Sequence, residues 1–122
     1  MALQGGQSDK SMLKALDGIL VVDLAGSVAT TYCSKLFVDY GATVVNLEPE
    51  VGFPTRQLAP FIDEASTESA MHGYLNANKK SVRRDLISDD AIAALLSEAN
   101  LVLGDGTDIG LFDSRLRMDI SW

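Results

Sequence analysis

The residues best equipped for chemistry lie close together. The stretch Tyr74-Leu75-Asn76-Ala77-Asn78-Lys79-Lys80-Ser81-Val82-Arg83-Arg84-Asp85 carries four of the ten Lys and Arg residues in the 122-residue chain. Asparagine offers donors and acceptors together, and adjacent lysines are compact point charges suited to phosphate. In a chain of net charge −7, this is the local cation cluster that an anionic ligand requires. Charge runs more often form a solvated face, so composition leaves both readings open. Arg56 is the one cation of an irregular excursion between Pro49 and Met71. It reads equally as a ligand arginine and as a solvated one. Glu48 ends an apolar run, where an acidic residue of a nicotinamide-binding fold would hold ribose hydroxyls; without a glycine fingerprint, a solvated strand-end carboxylate is the preferred reading.

These residues need elements to position them. Leu16-Asp17-Gly18-Ile19-Leu20-Val21-Val22-Asp23-Leu24 and Gly41-Ala42-Thr43-Val44-Val45-Asn46-Leu47-Glu48 are apolar, β-branched runs with one helical pattern between them. That spacing predicts a parallel strand-helix-strand unit in a sheet covered by helices on both faces. Ligands of such sheets bind beyond the carboxyl ends of the strands, after Leu24 and Leu47. Gly26, in the small-residue loop Ala25-Gly26-Ser27, leaves backbone that a ligand can approach closely.

The intervening helix is predicted to start at a Thr30 or Thr31 cap and to end at Tyr40, with Gly41 as the left-handed residue beyond it. Tyr32, Cys33, Leu36, Phe37 and Tyr40 are placed toward the sheet, Lys35 and Asp39 outward. Cys33 thus reads as a packed thiol. Between Pro49 and Met71 periodicity disappears, although a helix can begin within Glu68–Tyr74. Ser88 caps a helix over 89–99 with Asp89 and Asp90 in its first turn. Leu101-Val102-Leu103-Gly104 reads as a third buried strand. The fold class is therefore α/β, a Rossmann-like parallel sheet with flanking helices: a flexible lead over 1–11 and one domain over 12–122.

One cysteine and one histidine exclude an internal disulfide, and no metal is expected. The acidic balance argues against a nucleic-acid partner. No apolar run approaches the length of a membrane helix or resembles a signal peptide, so a cytoplasmic location and no membrane partner are expected.

In order and spacing, several of these motifs resemble the amino-terminal region of the class III CoA-transferases, the CaiB/BaiF family that includes formyl-CoA transferase, carnitine CoA-transferase and α-methylacyl-CoA racemase. The carriers are Leu16 to Leu24, Tyr32-Cys33 through Glu48-Pro49, Pro54-Thr55-Arg56, and Asn76-Ala77-Asn78-Lys79-Lys80-Ser81-Val82. The resemblance implies the CoA-binding part of an acyl-CoA transferase, which moves CoA between carboxylic acids, or of an acyl-CoA racemase, with CoA or acyl-CoA as substrate, no metal, and a homodimer or the remainder of a longer chain as partner. It also implies that Asn76, Asn78, Lys79 and Lys80 hold the nucleotide, that Ala29 lines the CoA site, and that Arg56 matches the arginine of the Pro-Thr-Arg element. The family nucleophile, an aspartate, is expected past residue 122, so no catalytic residue is assigned here, Asp105 and Asp108 included. The chain departs from the family pattern at Val28, Thr30-Thr31, Glu50 and Gly104-Asp105-Gly106. Those departures keep a second reading open: a non-catalytic structural or dimerisation module. A dinucleotide-binding domain is a third.

Overall fold

In the computed structural model, which describes residues 13–106, four strands form one sheet: β1 (Leu20–Asp23), β2 (Thr43–Glu48), β3 (Lys80–Arg83) and β4 (Leu101–Leu103). Their order is β3-β2-β1-β4, and every pairing is parallel. Three helices connect them: α1 (Val28–Asp39), α2 (Ala70–Asn76) and α3 (Asp89–Glu98), with 3-10 turns at Pro54–Gln57 and Arg84–Leu86. The lead expected over 1–11, Asp108 and the polar segment 109–122 lie outside the described residues.

Alternation along the strands decides what each face of the sheet carries. Val22, Leu24 and Leu47 join Ile92 and Leu96 of α3 in one buried cluster, to which Val82 of β3 adds. The opposite face carries Val21 and Val44, which pack with Ala42, Phe37 and Val38 beneath α1. The two clusters thus seat α3 on one face and α1 on the other, by burial of apolar side chains. On the α1 face, however, the same alternation turns polar toward the carboxyl ends. Asp23, Asn46 and Glu48 follow Val21 and Val44, and all three are buried.

Ser88 caps α3 as its sequence requires, its Oγ accepting from the Ala91 amide at 3.1 Å. Ser88→Ala is expected to lower stability by about 1 kcal/mol, read as a shift in the urea midpoint at constant slope.

Four expectations from sequence are corrected. Helix α1 starts at Val28, capped by Ser27, because Thr30 and Thr31 turn their hydroxyls back onto the Ser27 carbonyl. Its buried residues are Thr31 and Ser34, whereas Tyr32, Leu36 and Tyr40 are 49%, 44% and 61% exposed. The sheet beneath that part of the helix is polar, so small hydroxyl residues face it and Tyr32, Leu36 and Tyr40 face out, while Phe37 packs toward the sheet as expected. Lys80–Arg83 is a strand, legible afterwards in Val82, which reaches the apolar cluster while its neighbours stay more exposed. Strand β4 is half-buried throughout because β1 is its single neighbour in the described sheet.

Candidate functional site

The polar row lies across the carboxyl ends of β1, β2 and β3, beneath α1. Register pairs Asp23 with Asn46, Asn46 with Ser81, and Glu48 with Arg83. Asp23 Oδ1 accepts from the Ala25 and Gly26 amides at 2.9 and 3.1 Å, which fixes the turn into α1. The space beside Gly26 is filled by the buried ring of Phe53. The bare backbone there is thus required by packing within the protein.

Glu48 is 2% exposed, which overturns the solvated reading. The excursion folds back over it. Arg56 Nε and Nη2 donate to Glu48 Oε1 and Oε2 at 2.8 and 2.7 Å, the Phe53 amide donates to Oε1 at 2.8 Å, and the Ser81 hydroxyl donates to Oε2. Burial pushes this carboxyl up, but the guanidinium, hydroxyl and amide together outweigh it and hold Glu48 at about 2. The pair therefore clamps the 3-10 turn to β2. The Arg56 side chain remains 45% exposed and lines an open cleft of about 300 Å³ with Glu48, Pro49, Glu50, Val51, Gly52, Ser81 and Arg83. Arg83 is itself bidentate to Asp85, at 3.1 and 2.6 Å.

Lys79 faces inward. Its Nζ donates to the Thr31 carbonyl at 2.8 Å, Ser34 Oγ at 2.6 Å and Asn76 Oδ1 at 3.2 Å. Burial lowers this ammonium to about 8, with Asp23 the foremost charge opposing the shift. Asn76 also accepts from Asn46 Nδ2 at 2.7 Å and donates to the His72 carbonyl at 2.9 Å. His72 Nδ1 meets both Asn76 Nδ2, at 3.1 Å, and Thr55 Oγ1, at 2.8 Å. Burial, then the charge of Arg56, lowers His72 from its ordinary value, which favours the neutral ring.

The structure thus brings Asn76 and Lys79 into direct contact and links them to the Arg56 turn through His72 and Thr55. Asn78 lies beside them, exposed and at φ 68°. Lys80, exposed, opens β3 opposite Val45, and Ala29 is exposed in the first turn of α1. Sequence reasoning missed Asp23, Asn46, Thr31, Ser34, Ser81 and His72. A signal for four of them was present: Asp23 and Asn46 interrupt apolar runs at positions that alternation turns inward, and Thr31 and Ser34 share a helix face. Among the described residues, no group of three or more His, Cys, Asp or Glu is arranged to hold a metal ion.

The polar end of the sheet lies inside a region shared with known proteins. The model of CoA-transferase family III matches residues 16–108. The succinyl-CoA:mesaconate CoA-transferase of Haloarcula hispanica is 38% identical over 86 residues, covering 68% of this chain and 22% of that protein. The formyl-CoA:oxalate CoA-transferase of Rhodopseudomonas palustris is 30% identical over 115 residues, covering 91% and 26%. Among solved structures, a CaiB/BaiF family protein from Brucella suis is similar with a TM-score of 0.68 at 30% identity, over 84% of this chain and 28% of that one. Rv3272 of M. tuberculosis gives 0.66 at 32% identity, over 85% and 31%. The chain spans about a quarter of the length of the curated relatives it matches.

Proposed function

The chain belongs to CoA-transferase family III, and from that premise we propose that it is the CoA-binding part of an acyl-CoA transferase, which moves coenzyme A between carboxylic acids, or of an acyl-CoA racemase. What carries the reading is that the matched span, 16–108, encloses all four strands and the whole polar row at their carboxyl ends. That is where parallel sheets bind their ligands. In this reading the exposed Lys80, Asn78 and Ala29 contact the nucleotide, and Arg56 offers it the donors that Glu48 leaves unused. Asn76 and Lys79 hold that surface together from behind. The homodimer and cytoplasmic location belong to the same reading.

A second reading is a divergent structural or dimerisation module. The observation favouring it is that Arg56, Asn76 and Lys79 direct donors into the protein's own oxygens. Calorimetric titration of the chain with CoA and with acetyl-CoA at low salt separates the two. Saturable binding that weakens with salt is expected, and Lys79→Ala with Lys80→Ala is expected to reduce affinity roughly tenfold, or about 1.4 kcal/mol. No heat at millimolar ligand from a folded chain would sink the CoA-binding reading and leave the module.

A further inference from the structure

We propose that Asp23 is held as a neutral carboxylic acid whose Oδ2 proton is donated to Asn46 Oδ1, making Asp23 a positioning residue for the Asn76–Lys80 stretch. It rests on the function proposed above only for what that stretch binds.

Two buried acceptors lack partners among the described side chains: Asp23 Oδ2 and Asn46 Oδ1. They belong to residues that are 0% and 1% exposed and are neighbours in the β1–β2 register. Register partners of a parallel pair project from the same face of the sheet. Buried polar atoms without a partner are costly, and two on adjacent side chains need a common explanation.

The orientation of Asn46 follows from its neighbour. Asn76 Nδ2 donates to the His72 carbonyl, so Asn76 presents Oδ1 to β2 and Asn46 must answer with Nδ2. Asn46 Oδ1 is thereby left as an acceptor. The donors that the structure places around them are engaged, the Thr30 hydroxyl on the Ser27 carbonyl among them. The Ala25 and Gly26 amides are used by Asp23 Oδ1, and the three N–H groups of Lys79 go to Thr31, Ser34 and Asn76. A single proton on Asp23 satisfies both atoms.

The surroundings favour the neutral form. Burial raises the Asp23 carboxyl against the opposing pull of the Gly26 and Ala25 amides, the Thr30 hydroxyl and the Lys79 ammonium. From α1 the facing group is Thr30, from β2 it is Asn46, and β4 contributes Leu103; Lys79 is the charged group acting on Asp23. The proton is thus the first member of a chain running from Asp23 through Asn46 and Asn76 to Lys79 and Ser34. Losing it places a carboxylate against Asn46 Oδ1 and gives Lys79 a competing partner.

The test is a carbon-13 titration of the Asp23 carboxyl in the whole chain, with thermal melts of wild type and Asp23→Asn across pH. Asp23 is expected to titrate above the ordinary carboxylate range. For an acid raised in the folded state, stability is fully present below the unfolded pKa and lost as pH rises through the folded one. Wild-type melting temperature should therefore carry a falling contribution over that window that Asp23→Asn lacks, and the variant, whose amide can donate to Asn46, should melt no lower at neutral pH. The affinity for CoA should fall over the same window in wild type and stay level in Asp23→Asn. Titration within the ordinary range, as a buried water in place of the proton would give, overturns the proposal; so does a CoA affinity with the same pH profile in both proteins. If neither protein binds CoA, the proposed function fails while the titration still decides the protonation. If Asp23→Asn does not fold, the wild-type titration alone decides.

Discussion

Glu48→Ala is expected to lower the unfolding free energy by about 3 kcal/mol, the low end for breaking a buried ion pair because Arg56 is partly solvated. The loss comes mainly from what remains behind: a guanidinium, the Phe53 amide and the Ser81 hydroxyl with no acceptor. At roughly 4 °C per kcal/mol, where the scales for smaller and larger domains meet, the melting temperature should fall by about 12 °C. The pH dependence has a definite sign. Glu48 ionises at about 2 in the folded protein against an ordinary 4.5, so its contribution is fully present above the ordinary value. It is lost as pH falls from there through about 2. Glu48→Gln should remove that component of the acid transition, and an acid limb of unchanged steepness in the variant would show that the clamp is not a source of stability.

The second large effect is at Gly26. Its φ of 64° lies in the left-handed region, and a β-carbon there would fall on the Cβ, Cγ and Cδ1 atoms of Phe53. Phe53 is 1% exposed and cannot swing into solvent without giving up burial. Gly26→Ala therefore combines backbone strain with overpacking and is expected to cost about 3–4 kcal/mol. The cost should spread, because the Phe53 amide is one of the donors to Glu48. Phe53→Leu alone should destabilise through lost ring contacts. In that background Gly26→Ala should cost clearly less, a coupling that a double-mutant cycle of urea midpoints reads directly. Additive costs would place the strain in the backbone alone.

Much of the architecture was legible because it is local. Runs such as Leu20–Asp23 and Thr43–Glu48, about 20 residues apart, force a parallel pair, and Ser88 with Asp89 and Asp90 announces α3. Lys35 and Asp39 do pair as their spacing dictates, at 2.9 Å, but Lys35 does not point outward: its side chain is 14% exposed and its Nζ lies 4.8 Å from the centre of the Tyr74 ring. The correction at the buried face of α1 has a tertiary cause. Deciding which face of α1 packs inward required knowing that the sheet beneath it is polar, and that follows from the depth at which Asp23, Asn46 and Glu48 sit.

The candidate site shows the same division more sharply. Residue type singled out Asn76, Lys79 and Arg56, because asparagine, lysine and arginine in a clustered or loop position carry ligand chemistry whatever surrounds them. Their sequence separations say nothing of direction. Lys79 turns inward onto Thr31 and Ser34, 48 and 45 residues away, and Arg56 turns onto Glu48. Sequence by itself determined the parallel α/β frame, the Ser88 cap of α3 and which residue types are candidates to bind an anion, since these depend on spacing and side-chain chemistry within a few turns of chain. Tertiary structure alone decided which of those donors face solvent and which are spent inside. A hydrogen bond forms at about 3 Å between groups that only the packed chain brings together.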